Sequence, residues 1–488
     1  MKLGDLLQIL KRRNFSGDES LDITDVAYHT SAVKAGSCFV AIRGLKQDGH
    51  RFVDEAIAKG AKAVLVEEDI AVPKGIAKIV VEDTRDCLAR VAAELFFEPT
   101  KKLRLVGVTG TNGKTTTANL IEAVWQAAGL KTGCLSTVSY RWDGFEKEAA
   151  RTTPESLDLQ KMFQSMVQAG VRDCVMEVTS HAIDLKRVVA CHFDGAIFTN
   201  LSEDHLDYHK DMESYFACKA RLFRERLVVS EKKRLWAVIN WDDPYGKTLC
   251  KGLPSKVWRF SYKEKVEIFL KKIRSHWKGL QLEVATPLGD ISLTSPMIGQ
   301  FNAQNILAAV GAGVAMEIPL EQIVAGIASF SGVPGRLEKV SNAKGLEIFV
   351  DYAHTPAALE GTLSALRDLQ PKRIITVFGC GGNRDRLKRP LMGRAVERFS
   401  DIIIATSDNP REEDPEIILA EIFQGFQSER EVFKIIDRKE AIVKALKLSR
   451  PGDCVLIAGK GHETYQEIQG KKIPFDDRII VKEILNGI

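Results

Sequence analysis

The sequence lacks a strong charge of one sign. Its 69 lysines and arginines against 65 aspartates and glutamates leave a net charge of +4 over 488 residues. A general nucleic-acid binder carries a concentrated basic excess, so that class is set aside. No run of about 18 apolar residues occurs, and nothing is expected to span a membrane. The N-terminal segment mixes charges into its first apolar stretch, which does not read as a signal peptide. Nine cysteines, at 38, 87, 134, 174, 191, 218, 250, 380 and 454, form no CxxC pair. An odd count without a pairing pattern suits a reducing compartment better than a disulfide scaffold. A cytoplasmic protein is the expectation. Internal repeats, low-complexity tracts, an HExxH motif and a convincing catalytic triad are all missing as well.

What is present reads as an ordinary globular composition, 45% hydrophobic and 27% charged. The length predicts about three domains. Apolar strand-like runs alternate with amphipathic helical stretches, the pattern of α/β folds. Strands are expected at 38–42, 63–67, 103–108, 174–178, 196–199, 235–239, 347–350, 373–378, 402–406 and 454–458. Pro99 and Thr100, followed by Lys101 and Lys102, read as a linker, and Ser331-Gly-Val-Pro-Gly335 marks a second boundary. The expected domains are therefore 1–98, 99–333 and 334–488. The last is Rossmann-like. Its Gly379-Cys-Gly-Gly-Asn-Arg384 segment has arginine where the dinucleotide fingerprint wants its third glycine, so NAD is not expected.

Gly110-Thr111-Asn112-Gly113-Lys114-Thr115-Thr116 lies between a predicted strand and a predicted helix. Glycines let the backbone wrap closely enough for amide N–H groups to reach phosphate oxygens. A helix N-terminus adds partial positive charge. Lys114 is placed to reach the β- and γ-phosphates of ATP, and Thr115 or Thr116 to contact Mg²⁺. The general Walker A pattern has glycine where Val108 stands. GTNGKT after an apolar strand is the form found in Mur ligases and folylpolyglutamate synthetases, and the chain resembles the Mur ligases from about residue 29 to residue 466.

That resemblance implies three α/β domains: an N-terminal UDP-binding domain, a central P-loop ATPase-like domain, and a C-terminal Rossmann-like domain. It implies further roles, residue by residue. In Met176-Glu-Val-Thr-Ser-His-Ala182, Glu177 at a strand end is the Mg²⁺ carboxylate. In the segment from Thr199 to His209, His205 matches the ligand of a second Mg²⁺ ion. His205 and His209, four apart, are expected on one helix face; alone they read as ordinary structural histidines. Lys219 in Tyr215-Phe-Ala-Cys-Lys-Ala-Arg-Leu-Phe223 matches a lysine that is carbamylated in relatives, its carbamate derived from CO₂. Otherwise it is a lysine on a solvated helix face. Carbamylation turns an ammonium into a carboxylate-like anion that can support a metal site. Asn302 and Asn305 match residues beside the adenine, and Arg336 and Asp351 match residues that touch ATP. An arginine there can stabilise charge on a transferring phosphoryl group.

Three further blocks resemble the diaminopimelate-adding branch: the Gly379 segment through Arg384, Asp408-Asn409-Pro410-Arg411, and Gly459-Lys-Gly-His-Glu463. Asp-Asn-Pro-Arg alone reads as an Asx-Pro turn with a surface arginine. Meso-diaminopimelate is lysine with an extra distal carboxylate, which Arg411 can grip through two parallel N–H···O bonds. Two such bonds mean roughly 3–6 kcal/mol, or about 10²–10⁴-fold discrimination against lysine. Arg384, Asn409, Gly459 and Glu463 match the remaining amino-acid-binding positions. Thr152 and Thr153 in Arg151-Thr-Thr-Pro154, with Thr179 and Arg187, match contacts to the muramoyl-peptide. Thr30 takes the place of a serine hydroxyl at the UDP end, while His29 and Ser31 replace the family's usual aspartate and arginine.

The implied reaction is ATP-dependent addition of meso-diaminopimelate to UDP-N-acetylmuramoyl-L-alanyl-D-glutamate through an acyl phosphate, in peptidoglycan precursor synthesis. A monomer is implied. The alternatives are the same ligation with L-lysine, a folylpolyglutamate-type ligase, and an NTPase regulator that ligates nothing.

Overall fold

The apolar run at 103–108 becomes the strand Arg104–Thr109 in the computed structural model, at the middle of an eleven-stranded sheet. The model describes residues 1–10, 12–44, 47–427 and 430–487. Arg104–Thr109 pairs in parallel with Asp173–Glu177 on one side and Gly195–Phe198 on the other. Beyond Gly195–Phe198 come Trp236–Asn240, Lys256–Ser261 and Ile268–His276, still parallel, then the antiparallel strands Gly279–Thr286 and Gly289–Ser295. Thr132–Leu135, Ser139–Trp142 and Phe145–Glu148 complete the opposite edge. Helices cover both faces, which is why the central strands read as unbroken apolar runs. Lys114–Ala127, Gln300–Ala315 and Leu320–Ser329 bury one face; Ser156–Gln168 and Met212–Arg221 bury the other.

A five-stranded sheet precedes this one, ordered Arg12–Ser16, Ala77–Val81, Ala63–Val66, Cys38–Val40, Val26–Ala27, with only the first pairing antiparallel. A six-stranded sheet follows, ordered Glu338–Lys339, Glu347–Asp351, Cys454–Ala458, Ile374–Phe378, Ile402–Ala405, Glu431–Lys434, again parallel after its first pair. The three-sheet α/β architecture expected from the sequence is present, with strand ends shifted by a residue or two. Among the described residues no helix is long and apolar enough to cross a membrane.

One local expectation fails, and one segment takes a form the sequence did not suggest. Pro99–Lys102, read as a linker, is a single helical turn, with proline at its start and Pro99 and Thr100 buried. Thr100 Oγ1 accepts from the His192 amide at 3.2 Å, so the segment is pinned to the central unit. The bend lies just before it, where Phe97 and Glu98 both adopt left-handed backbone (φ 59° and 46°). His205 and His209 do not share a helix. They flank a turn closed by His209 N donating to His205 O at 2.8 Å, and His205 has φ 55°, which interrupts any right-handed helix.

Candidate active site

The phosphate loop sits at the C-terminal end of Arg104–Thr109. The chain leaves this strand toward one side of the sheet and returns to its other flank at Gly195–Phe198, so the loop opens at a point where strand order reverses. Gly110 (φ 148°) and Gly113 (φ 83°) are required here. A Cβ on Gly110 would lie 2.0 Å from Thr199 Oγ1, and one on Gly113 would lie 2.3 Å from Asn305 Oδ1. The next strand's loop cradles this one: Asn200 accepts from Thr111 N and Asn112 N, both at 2.9 Å, and Thr199 Oγ1 donates to Asn112 O at 2.6 Å. Two loop amides are thus already satisfied. The open donors are those of the first turn of Lys114–Ala127, whose N-terminus carries no side-chain cap. Thr115 and Thr116 are buried in that turn.

Two lysines converge on one carbonyl. Lys114 Nζ donates to Gly110 O at 3.0 Å and to Thr111 O at 2.7 Å, and Lys219 Nζ donates to the same Gly110 O at 2.9 Å. Lys219 is buried rather than on a solvated face, with Nζ 4.5 Å from the Tyr215 ring centroid. Burial, and then the neighbouring Lys114 charge, hold its pKa well below the usual lysine value. Burial lowers Lys114 too, opposed by Glu177.

Glu177 ends its strand fully buried. It accepts from Thr137 N at 2.6 Å and from Thr137 Oγ1 at 3.0 Å, and among the described residues it forms no ion pair. Thr137 Oγ1 also contacts Thr115 Oγ1 at 3.4 Å and Thr152 Oγ1 at 3.1 Å. A buried carboxylate without a cation, linked by one hydroxyl to a threonine beside the phosphate loop, is a set of hard oxygen donors that fits Mg²⁺. Among the described residues there is no group of three or more His, Cys, Asp or Glu able to hold a metal. That also fits an ion usually held by one or two carboxylates plus substrate phosphates. His205 lies in a ring cluster where its centroid is 5.0 Å from His181 and 6.2 Å from Tyr215. Burial lowers the pKa of His205 and His209, and takes His181 to about 4.

The expected precursor residues adjoin Glu177, apart from Thr30. Thr153 Oγ1 donates to Glu177 O at 2.8 Å and accepts from Thr179 N at 3.2 Å; Arg187 Nη1 donates to Thr153 O at 3.0 Å. Thr30 lies on a short turn of the N-terminal unit, bonded to Glu55. Sequence reasoning missed Glu155. Its buried carboxylate takes Arg85 from the N-terminal unit (3.2 Å) together with Arg151 (2.8 Å) and Arg187 (2.9 Å). Thr137 and Asn200 were missed as well. Thr137 belongs to no recognisable motif, whereas Asn200 lies within a segment already singled out.

The third unit reaches the same place. Arg336 Nη2 contacts Thr115 Oγ1 at 3.5 Å, and its guanidinium lies 4.5 Å from the Tyr352 ring centroid. Asn302 and Asn305 lie beneath the loop; Asn305 Nδ2 donates to Asn302 Oδ1 at 3.1 Å, and Thr117 Oγ1 to Asn305 Oδ1 at 3.3 Å. Asp351 accepts from Leu337 N at 2.5 Å and Ala353 N at 2.9 Å, and burial raises its pKa. Gly459 N donates to Asp351 O at 3.0 Å, joining this cluster to the amino-acid blocks. There Asn409 Nδ2 donates to Glu463 Oε2 at 2.8 Å, and Asp408 Oδ1 accepts from Asn409 N at 2.7 Å. Arg411, in left-handed backbone (φ 53°) after Pro410, donates from Nε to Glu467 Oε2 at 3.2 Å and from Nη1 to Gly382 O at 2.6 Å. Arg384 is exposed and unpaired among the described residues.

Similarity to known proteins identifies the family. Residues 22–95 match the Mur ligase family catalytic domain, 108–313 the Mur ligase middle domain, and 335–461 the Mur ligase glutamate ligase domain. The chain is 44% identical to the UDP-N-acetylmuramoyl-L-alanyl-D-glutamate–2,6-diaminopimelate ligase of Geobacter metallireducens, over 98% of this chain and 97% of that protein. It is 45% identical to the enzyme of the same name from Gloeobacter violaceus, over 96% and 94%. A solved structure bearing that name superposes with a TM-score of 0.71 at 30% identity, covering 100% of this chain and 99% of that one. MurF ligase from Thermotoga maritima, solved with ADP, shares the fold at 20% identity and a TM-score of 0.65, covering 95% of this chain and 97% of that one. Three family domains in order, over a chain whose relatives match it end to end, place this protein in the Mur ligase family.

Proposed function

We propose that the chain is the ligase that joins meso-diaminopimelate to the D-glutamate γ-carboxylate of UDP-N-acetylmuramoyl-L-alanyl-D-glutamate, acting as a cytoplasmic monomer. The observation that carries the reading is the hydrogen bond from Gly459 to Asp351. It joins the Asn409–Glu463–Arg411 cluster to the Arg336 and phosphate-loop cluster, so an amino acid and an activated carboxyl group can meet.

A carboxylate is a poor electrophile with no leaving group, so it must first be activated. The γ-carboxylate oxygen attacks the γ-phosphorus of ATP, the bond to ADP breaks, and an acyl phosphate forms. Lys114, Arg336 and the open amides of the Lys114–Ala127 helix are the donors on this chain for the phosphate oxygens. Thr115 and Glu177, with Lys219 as its carbamate, would hold one Mg²⁺, and His205 would hold a second; when bound, Mg²⁺ supplies positive charge to phosphate oxygens. Thr152, Thr153, Thr179 and Arg187 orient the muramoyl-peptide, and Thr30 lies toward the UDP end. The amine of diaminopimelate then attacks the acyl carbon, phosphate leaves, and the nitrogen loses a proton. Asn409, Glu463 and Arg384 offer groups for the ammonium and carboxylate ends of the amino acid, with Arg411 facing its distal carboxylate.

Lys219 fits a carbamate. Carbamylation needs a neutral amine to attack CO₂, and burial beside Lys114 favours the neutral form.

The test is phosphate release from ATP and Mg²⁺ in the presence of the UDP-muramoyl-dipeptide, with meso-diaminopimelate, L-lysine or no amino acid. Release dependent on diaminopimelate is expected. Release driven by lysine would keep the chemistry and remove the role given to Arg411. Release indifferent to all three would overturn the ligase reading.

A further inference from the structure

Lys460 is a fully buried cation that the proposed reaction does not use. It lies in the loop after Cys454–Ala458, and its ammonium faces the loop after Ile402–Ala405. Nζ donates to Asn409 Oδ1 at 3.0 Å and to Glu463 Oε2 at 3.1 Å. Asn409 Nδ2 donates to the same Oε2 at 2.8 Å, closing a triangle of ammonium, amide and carboxylate. The Glu467 amide donates to Asn409 Oδ1 at 2.9 Å as a second anchor. Two donors on its oxygen fix the orientation of the Asn409 amide, which turns its NH₂ toward Glu463. Both donors to Glu463 meet Oε2, and Oε1 accepts no hydrogen bond among the described residues.

We propose that Lys460 is a positioning residue for the amino-acid substrate: it holds Glu463 through Oε2 and so leaves Oε1 aimed to accept from the substrate's ammonium group. The inference rests on the ligase reading above and adds a residue to it. Without the ammonium, Asn409 loses one of the donors that fix its orientation, and Glu463 loses half of its hold. Charge-assisted hydrogen bonds are the strong ones, and a buried ammonium is retained only where such partners exist.

The test compares wild type with Lys460→Met, which removes all three donors at similar length, and Lys460→Gln, which keeps an uncharged NH₂. Phosphate release is measured while each substrate is varied in turn, and thermal melts check folding. Lys460→Met should raise KM for meso-diaminopimelate about 10- to 100-fold, with KM for ATP and the UDP-precursor within about twofold. Lys460→Gln should fall between. In a Glu463→Gln background, Lys460→Met should add less than about threefold, because its effect passes through Glu463. An unchanged KM for diaminopimelate, a parallel rise in all three KM values, or full additivity with Glu463→Gln would each overturn the proposal. If Lys460→Met does not melt cooperatively, Lys460→Gln carries the same comparison with the same criteria. Wild type that releases phosphate without diaminopimelate defeats the ligase reading, and this inference with it. Wild type that requires diaminopimelate, with normal Lys460 variants, defeats the inference alone.

Discussion

Removing the Arg411 guanidinium tests the amino-acid preference directly, and the structure limits how large the effect can be. Two of its three nitrogens are engaged within the protein: Nε with Glu467 at 3.2 Å and Nη1 with Gly382 O at 2.6 Å. Nη2 keeps its hydrogens uncommitted among the described residues. A distal carboxylate therefore gains at least one charge-assisted bond, about 1.5–3 kcal/mol, or about 10- to 150-fold. The two-bond figure of roughly 3–6 kcal/mol is reached only if the ligand also displaces one internal partner.

Arg411→Ala should accordingly lower kcat/KM for meso-diaminopimelate by about 10- to 150-fold while leaving kcat/KM for L-lysine within about threefold. The Arg411–Glu467 pair is partly exposed, so its loss costs little stability, and the ratio between the two amino acids is an internal control. The assay is coupled phosphate release at saturating ATP and precursor. An unchanged ratio would refute the reasoning. An equal fall for both amino acids would refute it too, by showing that Arg411 merely props the Gly382 loop.

Gly113→Ala should abolish nucleotide binding in calorimetric titration, because its Cβ would lie 2.3 Å from Asn305 Oδ1 at a left-handed position. Lys219→Ala should lose most ligase activity while retaining a cooperative melt; full activity would remove the carbamate role. Glu155→Ala leaves three guanidiniums without their shared carboxylate and should lower stability by up to about 3–5 kcal/mol in urea titrations. Burial, reinforced by Arg336, Arg478 and Lys460, lowers the His462 pKa from 6.5 to about 4. Between those values the unfolded chain binds a proton that the folded chain refuses, so stability falls as pH drops from 6.5 toward 4. His462→Gln should flatten that slope without abolishing it, since His181 shares the shift.

The blocks that reveal the family lie at strand ends, where short segments carry several functional side chains at fixed spacing. Such segments are legible because local geometry brings their residues together. Lys114 stands at the start of its helix as the loop pattern suggests, and Glu177, singled out by the resemblance, stands at the end of its strand. The missed residues act across long separations. Thr137 meets Glu177 from 40 positions away, and Glu155 takes Arg85 from 70. No periodicity encodes such pairings; only the packed sheets do. His205 misled for the opposite reason. Its spacing from His209 suits a helix, but its left-handed backbone breaks one.

Val108 is the most informative departure, because it looks like a defect in a glycine motif. It lies inside the strand rather than in the loop, paired with Ile197 on one side and Glu177 on the other, and it is fully buried in the central core. A glycine there would remove a buried isopropyl group and leave a cavity, a cost of the order of 1–3 kcal/mol or more. The loop is correspondingly short, from Gly110 to Gly113, and its own backbone does not close it. Thr199 and Asn200, arriving from the adjacent strand, fasten Thr111 and Asn112 from outside. The work a longer glycine loop does alone is here divided between two strand ends. The strict motif therefore fails for a structural reason, and the segment beginning Thr199-Asn200 belongs to the structure of this loop as much as GTNGKT does.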